Sequence, residues 1–345
     1  MTALLLVHGR QQQMRKDLRR TPEAVARHAT GKRRKWLGGL AKGLTLAGEA
    51  VPDPATAYFP FYGNLLEERI AAHEGAGGGR PDLEGTTAAR EERLVLTTAD
   101  MLIDAAESAG FVASEHMLDE AREDLDAVRE AEEARREGNE AGWSDALKWS
   151  VARSALQWLA DKTDTPEWII ERHLRDVAYC LEDEAMRDDV LKTVATSLDQ
   201  LRADGHEDVV VVGHSLGSVV AYDLCDRIPD GLGVRLLVTA GAPLGLPVVR
   251  RNLWGGREGD DTRGVPRVIQ PVDPPARRGR VWWLNAYDVA DAVAMIHPLA
   301  PRFTDGAEKL RDERTHNPTH PHAIEDYLAD PDVAGPIAHA LTVSS

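Results

Sequence analysis

The chemistry in this sequence starts at Gly213-His214-Ser215-Leu216-Gly217, a serine hydroxyl set between two glycines. Four valines, Val209 to Val212, precede it, and Ser218 to Leu224 follows as a helical segment. A strand, a sharp turn and a helix form the context in which a G-x-S-x-G serine becomes a nucleophile. The turn strains the backbone at Ser215. Bulk at 213 or 217 would collide with the neighbouring strand and helix, and glycine relieves this. The turn also puts Oγ beside a helix N-terminus, whose dipole favours a developing negative charge. A serine hydroxyl is a poor nucleophile by itself, so the chemistry needs a general base and a group to orient it.

The motif in this setting resembles the α/β-hydrolase superfamily, in particular its lipase and esterase branch. Three further segments carry the resemblance. Leu6-Val7-His8-Gly9-Arg10 is similar to the strand–His–Gly loop that supplies the oxyanion hole. The resemblance implies that the amides of Arg10 and Leu216 hold the oxyanion, and that His8 shapes the loop. The family usually carries an apolar or small residue after His-Gly. Arg10-Gln11-Gln12-Gln13 departs from that, which keeps Gln11 as the alternative donor. Ala240-Gly241-Ala242-Pro243-Leu244-Gly245 looks like the family turn that shapes the mouth of the site. Trp283 to Ala294 resembles the W-x-N-x-x-D-x-x-D-x-V segment, whose second acid orients the histidine. That gives the role to Asp291, with Asp288 as the alternative.

The superfamily's chain order is serine, acid, histidine. Downstream of Asp291 stand His297, His316, His320, His322 and His339. His297 follows the acid too closely to come from the next sheet–helix junction. Thr315 to Leu328 reads as a loop entering a helix, and lipase-like proteins often place the base just before such an H-x-x-x-x-Y-L helix. The resemblance therefore implies His322, with His320 next. His316, His320 and His322 also invite comparison with a metal cluster. No carboxylate or cysteine set accompanies them at a recognisable spacing, so neither a metal nor another cofactor is expected.

These residues need a scaffold. Short apolar runs closed by glycine recur at Leu4–Val7, Ala57–Tyr62, Val209–Val212 and Arg235–Ala240, with Val281–Leu284 as a fifth run. Such runs read as buried parallel strands, although Pro60 weakens the second. Helical segments between them imply a parallel, doubly wound sheet. The stretch from Gly63 to Val209 is far longer than a crossover helix needs. The expected organisation is an α/β-hydrolase-type core at 1–74 and 166–345 with a helical insertion at 75–165. The insertion's place before the nucleophile strand suits a lid over the site. Trp143, Trp149 and Trp158 within it read as packing on the core, or alternatively as the lining of an acyl pocket. Pro166 marks a helix start at its first position, and that helix is expected to run to about Arg187, with a next one to Arg202. The Gly-, Pro- and Arg-rich stretch from Trp254 to Arg280 reads as a mobile loop.

Composition sets outer limits. The chain has 345 residues, 43 % of them hydrophobic, enough to bury a core. Its net charge of -16 repels phosphate and argues against a nucleic-acid binder. The charge is uneven: eleven Lys/Arg against two acids lie between Arg10 and Lys42, and eight Arg against four acids between Pro247 and Arg280. These patches read first as solvated faces and second as contacts to an anionic membrane surface. The two cysteines, Cys180 and Cys225, read as reduced core residues. No apolar run spans a bilayer and the N-terminus lacks a signal-peptide pattern, so a cytoplasmic location is expected. Taken together, the expectation is a serine hydrolase that cleaves a small-molecule or lipid ester through an acyl-enzyme. A thioesterase, serine peptidase or acyltransferase would use the same residues. A non-catalytic interaction module acting through the insertion is the alternative from another class.

Overall fold

A computed structural model describes residues 2–10, 12–19, 21–51, 53, 56–76, 97–106, 108, 146–163, 165–253, 264–270, 281–303 and 306–342. Its centre is a six-stranded sheet in the order β2-β1-β3-β4-β5-β6, parallel at every pairing. The strands are β1 (Thr2–Val7), β2 (Ala57–Tyr58), β3 (Asp208–His214), β4 (Gly233–Ala240), β5 (Trp283–Tyr287) and β6 (Leu310–Arg314). The expected parallel sheet flanked by helices is thus the architecture found. β2 is only two residues long, because the chain leaves the ladder before Pro60, which has no N–H to donate. β6 escaped the sequence reading. Its residues, Leu-Arg-Asp-Glu-Arg, carry a single apolar side chain, as an edge strand permits.

Both faces of the sheet are covered, and the strand sequences show why. In β1, Leu4 and Leu6 point to one side while Ala3, Leu5 and Val7 point to the other. In β3, Val210 and Val212 join the first set, and Val209 and Val211 the second. A one-residue slip would exchange these sets between the two helix layers, so the packing fixes the register. Each buried Leu or Val side chain contributes roughly 1.5–3 kcal/mol.

The first layer consists of α1 (Pro22–Ala47), α9 (Ile324–Ala329) and α10 (Pro331–Thr342). Thr21 caps α1 by accepting the Ala24 amide at 3.2 Å, and Gly48 ends the helix at a left-handed φ of 72°. Trp36, Leu40 and Leu44 of α1 bury against Tyr327, Leu328 and Ile337. Two glycines bring α1 and α9 into backbone contact. A Cβ on Gly39 would lie 2.4 Å from the Glu325 carbonyl oxygen, and one on Gly43 would lie 2.4 Å from that of Leu328.

The second layer holds α2 (Gly63–Ala76), α3 (97–106), α4 (Ala146–Thr163), α5 (Glu167–Glu182), α6 (Glu184–Ala203), α7 (Leu216–Leu224) and the short α8 (Pro247–Arg251). The sequence places the boundary between two helices near Arg187, the second ending near Arg202. Instead the chain breaks at Asp183, whose carboxylate turns back to accept the Met186 amide at 3.0 Å and starts α6. Pro166 itself is the cap of α5 and not its first residue.

Met101, Leu102 and Ala105 of α3, with Leu156 and Leu159 of α4, belong to the second-layer core. Trp158 packs half-buried against the same cluster. Trp143 lies outside the described residues, as does most of 254–280. Cys180 and Cys225 are both buried free thiols, which burial makes harder to ionise. No helix among the described residues is long and apolar enough to cross a membrane.

Candidate active site

Every candidate side chain among the described residues hangs from the carboxyl end of a core strand or from a helix that covers it. At the end of β3 the backbone turns sharply, and Ser215 adopts φ 56° and ψ -132°. It is the one non-glycine residue with positive φ among those described. Such strain costs on the order of 1–3 kcal/mol and marks functional turns. Three glycines make room for it. A Cβ on Gly213 would lie 2.6 Å from the Gly217 carbonyl oxygen, and one on Gly217 would lie 2.2 Å from that of Val7. A Cβ on Gly9 would come within 2.8 Å of Ser215 Cβ and 3.2 Å of Oγ. The Gly9 loop therefore passes directly behind the serine. Ser215 itself is pinned by its amide, which donates to the Ala240 carbonyl at 3.0 Å. Leu216 opens α7, so its N–H has no acceptor within the helix.

The loop after β5 carries both acids. Asp291 is 1 % exposed. It receives the Val293 amide on Oδ1 at 2.8 Å and the Tyr327 hydroxyl on Oδ2 at 2.7 Å. The Nδ1 of His322 lies 2.9 Å from Oδ1 and 2.8 Å from Oδ2. Burial pushes this carboxyl upward, but the His322 charge and the hydrogen bonds from His322, Tyr327 and Val293 outweigh it, leaving a pKa of about 2. Asp288 faces elsewhere, accepting the amides of Ala290 at 2.8 Å and Asn317 at 2.7 Å. It braces the loop onto the segment that leads to His322.

The histidines separate in the same way. His322 sits at the end of that segment and lines a cavity of about 320 Å³ together with Ser215 and Leu216. His320 lines the same cavity but is exposed, its ring bonds no carboxylate among the described residues, and its Nδ1 accepts the His322 amide at 3.2 Å. His297 stacks on Tyr287 with ring centroids 4.4 Å apart and bonds the Ala294 carbonyl. His316 is exposed, and His339 lies in α10. Among the described residues no three His, Cys, Asp or Glu side chains are placed to hold a metal ion.

Two other imidazoles surround His322. His214 lies at 4.6 Å between centroids and its Nε2 bonds the His322 carbonyl oxygen at 3.0 Å. Burial, reinforced by the His322 charge, lowers His214 well below the usual histidine range, so it stays neutral. His173, from α5, meets His322 edge to face at 5.0 Å. The sequence reading did not single out His173, nor Tyr327 and Gly241 individually. Gly241 ends β4 at φ 55°, and a Cβ there would lie 2.6 Å from Asp291 Oδ2 and 3.0 Å from His322 Nδ1. Its place within the Ala240–Gly245 turn was the available signal.

The Gly9 loop is held from both sides. His8 is fully buried, accepts the Tyr62 amide on Nε2 at 3.2 Å, and so donates Nδ1–H to the Gly9 carbonyl at 2.6 Å. Burial lowers its pKa to about 4 despite the Gly9 hydrogen bond, and the ring is neutral. Beyond it, the Arg10 guanidinium pairs with Asp176 of α5, both groups lining the cavity. Gln11 lies outside the described residues.

A model of the alpha/beta hydrolase family matches residues 173–342, from α5 through α10. No curated protein and no solved structure matches the chain. The matched segment holds the Ser215 turn, the Asp291 loop and His322, on a parallel sheet with helices over both faces. The chain is a member of the α/β-hydrolase superfamily and, at that level, a hydrolase.

Proposed function

We propose that this protein hydrolyses carboxylic esters with Ser215 as nucleophile, His322 as general base and Asp291 as the group that orients the base. The observation that carries this reading is the bond from His322 Nδ1 to a buried Asp291, at the edge of a cavity that Ser215 also lines. With Nδ1–H donated to Asp291, Nε2 is the nitrogen left to take a proton. Ser215 Oγ attacks the acyl carbonyl as His322 removes its proton, and the imidazolium is stabilised by Asp291. The oxyanion is held by the amides of Leu216 and Arg10. His322 returns the proton to the leaving alkoxide as the C–O bond breaks. Water, deprotonated by His322, then splits the acyl-enzyme and restores Ser215.

A panel of p-nitrophenyl esters from acetate to palmitate, run on native protein and on Ser215→Ala, tests this. Native turnover that falls by about three or more orders of magnitude in the variant is the expected result. Turnover unchanged in Ser215→Ala would exclude the serine mechanism. The position of the maximum along the panel separates an esterase from a lipase.

A further inference from the structure

Asp176 lies on α5, outside the Ser215, Asp291 and His322 set, and it lines the same cavity. Its side chain is 4 % exposed. One carboxylate oxygen, Oδ1, pairs with the Arg10 guanidinium. The other, Oδ2, is buried and accepts no hydrogen bond. A buried carboxylate oxygen without a donor is unfavourable, and a ligand that brings a donor relieves that penalty. The chemistry of the ligand follows from the neighbours. Arg10 already balances the negative charge, so the position offers an acceptor with little net charge, suited to a neutral hydroxyl more than to an ammonium group. Arg10 also belongs to the loop that passes behind Ser215, and its own amide is an oxyanion donor in the mechanism above. A group bonded to Asp176 therefore lies close to the scissile bond. Trp168, 62 % exposed on the same helix, contributes a flat apolar wall to the cavity.

We propose that Asp176 is a specificity determinant that accepts a hydrogen bond from a free hydroxyl of the substrate, so that the preferred substrates are esters hydroxylated near the ester bond. This rests on the ester-hydrolase reading. The hydroxyl has two possible sources, the alcohol part or the acyl part, and two matched pairs distinguish them. Glyceryl monobutyrate against propyl butyrate probes the alcohol side, and methyl 3-hydroxybutyrate against methyl butyrate probes the acyl side.

In native protein the hydroxylated member of one pair is expected to show at least a tenfold higher kcat/KM, as befits a hydrogen bond to a charged group. In Asp176→Asn and Asp176→Ala that ratio falls to near one. Because the ratio is taken within each variant, it is insensitive to the fraction of protein folded. A native ratio near one in both pairs overturns the proposal. So does a ratio that persists in both variants while total activity falls, since Asp176 would then only anchor Arg10. Failure to hydrolyse any of the four esters overturns this proposal alone if the protein still turns over a p-nitrophenyl ester, and overturns the ester reading with it if it turns over none of the panel.

Discussion

Tyr327 donates its hydroxyl to Oδ2 of Asp291 at 2.7 Å, and its oxygen accepts the Asp288 amide at 3.0 Å. One phenol on α9 thereby ties Asp291 to the helix that follows His322. Tyr327→Phe keeps the ring in the first-layer core and removes only this tether. The expected outcome is a kcat lowered roughly tenfold, with KM little changed, as suits the loss of one charge-assisted hydrogen bond. Steady-state kinetics on a p-nitrophenyl ester would measure it, and an unaltered kcat would remove Tyr327 from the account.

Two adjacent glycines in α1 should respond in opposite senses. Nothing stands within 4 Å of a Cβ on Gly38, whereas one on Gly39 would meet the Glu325 carbonyl oxygen at 2.4 Å. Gly38→Ala is expected to stabilise the fold by about 0.5–1 kcal/mol, from helix propensity alone. Gly39→Ala pushes α1 from α9 and is expected to destabilise it by roughly 1–3 kcal/mol. Urea denaturation reads both, and equal shifts of the same sign would show that the α1–α9 contact is looser than described.

Gly241→Ala should damage activity more than stability. The added methyl would lie 2.6 Å from Asp291 Oδ2, at a backbone φ of 55° that alanine adopts poorly. Stability is expected to fall by about 1–3 kcal/mol, and kcat by about a hundredfold, because Asp291 and His322 are displaced together. Paired denaturation and kinetic measurements test this. Full activity in a destabilised variant would mean that the Asp291–His322 pair tolerates the shift.

The buried histidines make the fold acid-sensitive in a defined window. Burial lowers His8 from 6.5 to about 4 in the folded protein. Below pH 6.5 the unfolded chain takes up a proton that the folded chain does not, so unfolding is favoured increasingly as pH falls to about 4. The contribution of His8 is full above pH 6.5, and its loss reaches about 3 kcal/mol by pH 4. His214 shifts in the same direction and adds in the same sense. Asp291 acts in a lower window. Its carboxyl falls from 3.8 to about 2, so its stabilisation holds above 3.8 and disappears toward 2. Denaturation midpoints between pH 7 and 4 should fall in the native protein and fall less steeply in His8→Asn. Parallel slopes would show that His8 titrates alike in the folded and unfolded states.

Much of this was legible in the sequence because strands buried on both faces leave an unmistakable trace. Val209 to Val212 could be nothing but apolar, and the glycines around Ser215 follow from crowding that any such turn imposes. β6 was not legible, since an edge strand with charged side chains lacks that signature. The break between these two helices was legible but placed near Arg187 instead of Asp183, because a capping aspartate looks like any other acid inside a helical pattern. Tyr327 illustrates a further limit. Its residue type fits a core helix, and its hydroxyl acquires meaning only when α9 is folded against the β5 loop. His173 and Asp176 are of the same kind, distant in sequence from Ser215 and brought to it by α5. The geometry also treats the two open pairs differently: Asp291 and not Asp288 meets His322, whereas His320, though exposed, lines the same cavity as His322.

The central claim is that Ser215 is an activated nucleophile, and covalent labelling by a fluorophosphonate tests it most directly. Native protein should gain one adduct mass, mapped by peptide analysis to Ser215, with labelling abolished in Ser215→Ala and slowed in His322→Ala and Asp291→Asn. Folded native protein that takes up no label, or takes it up on another residue, would contradict the account.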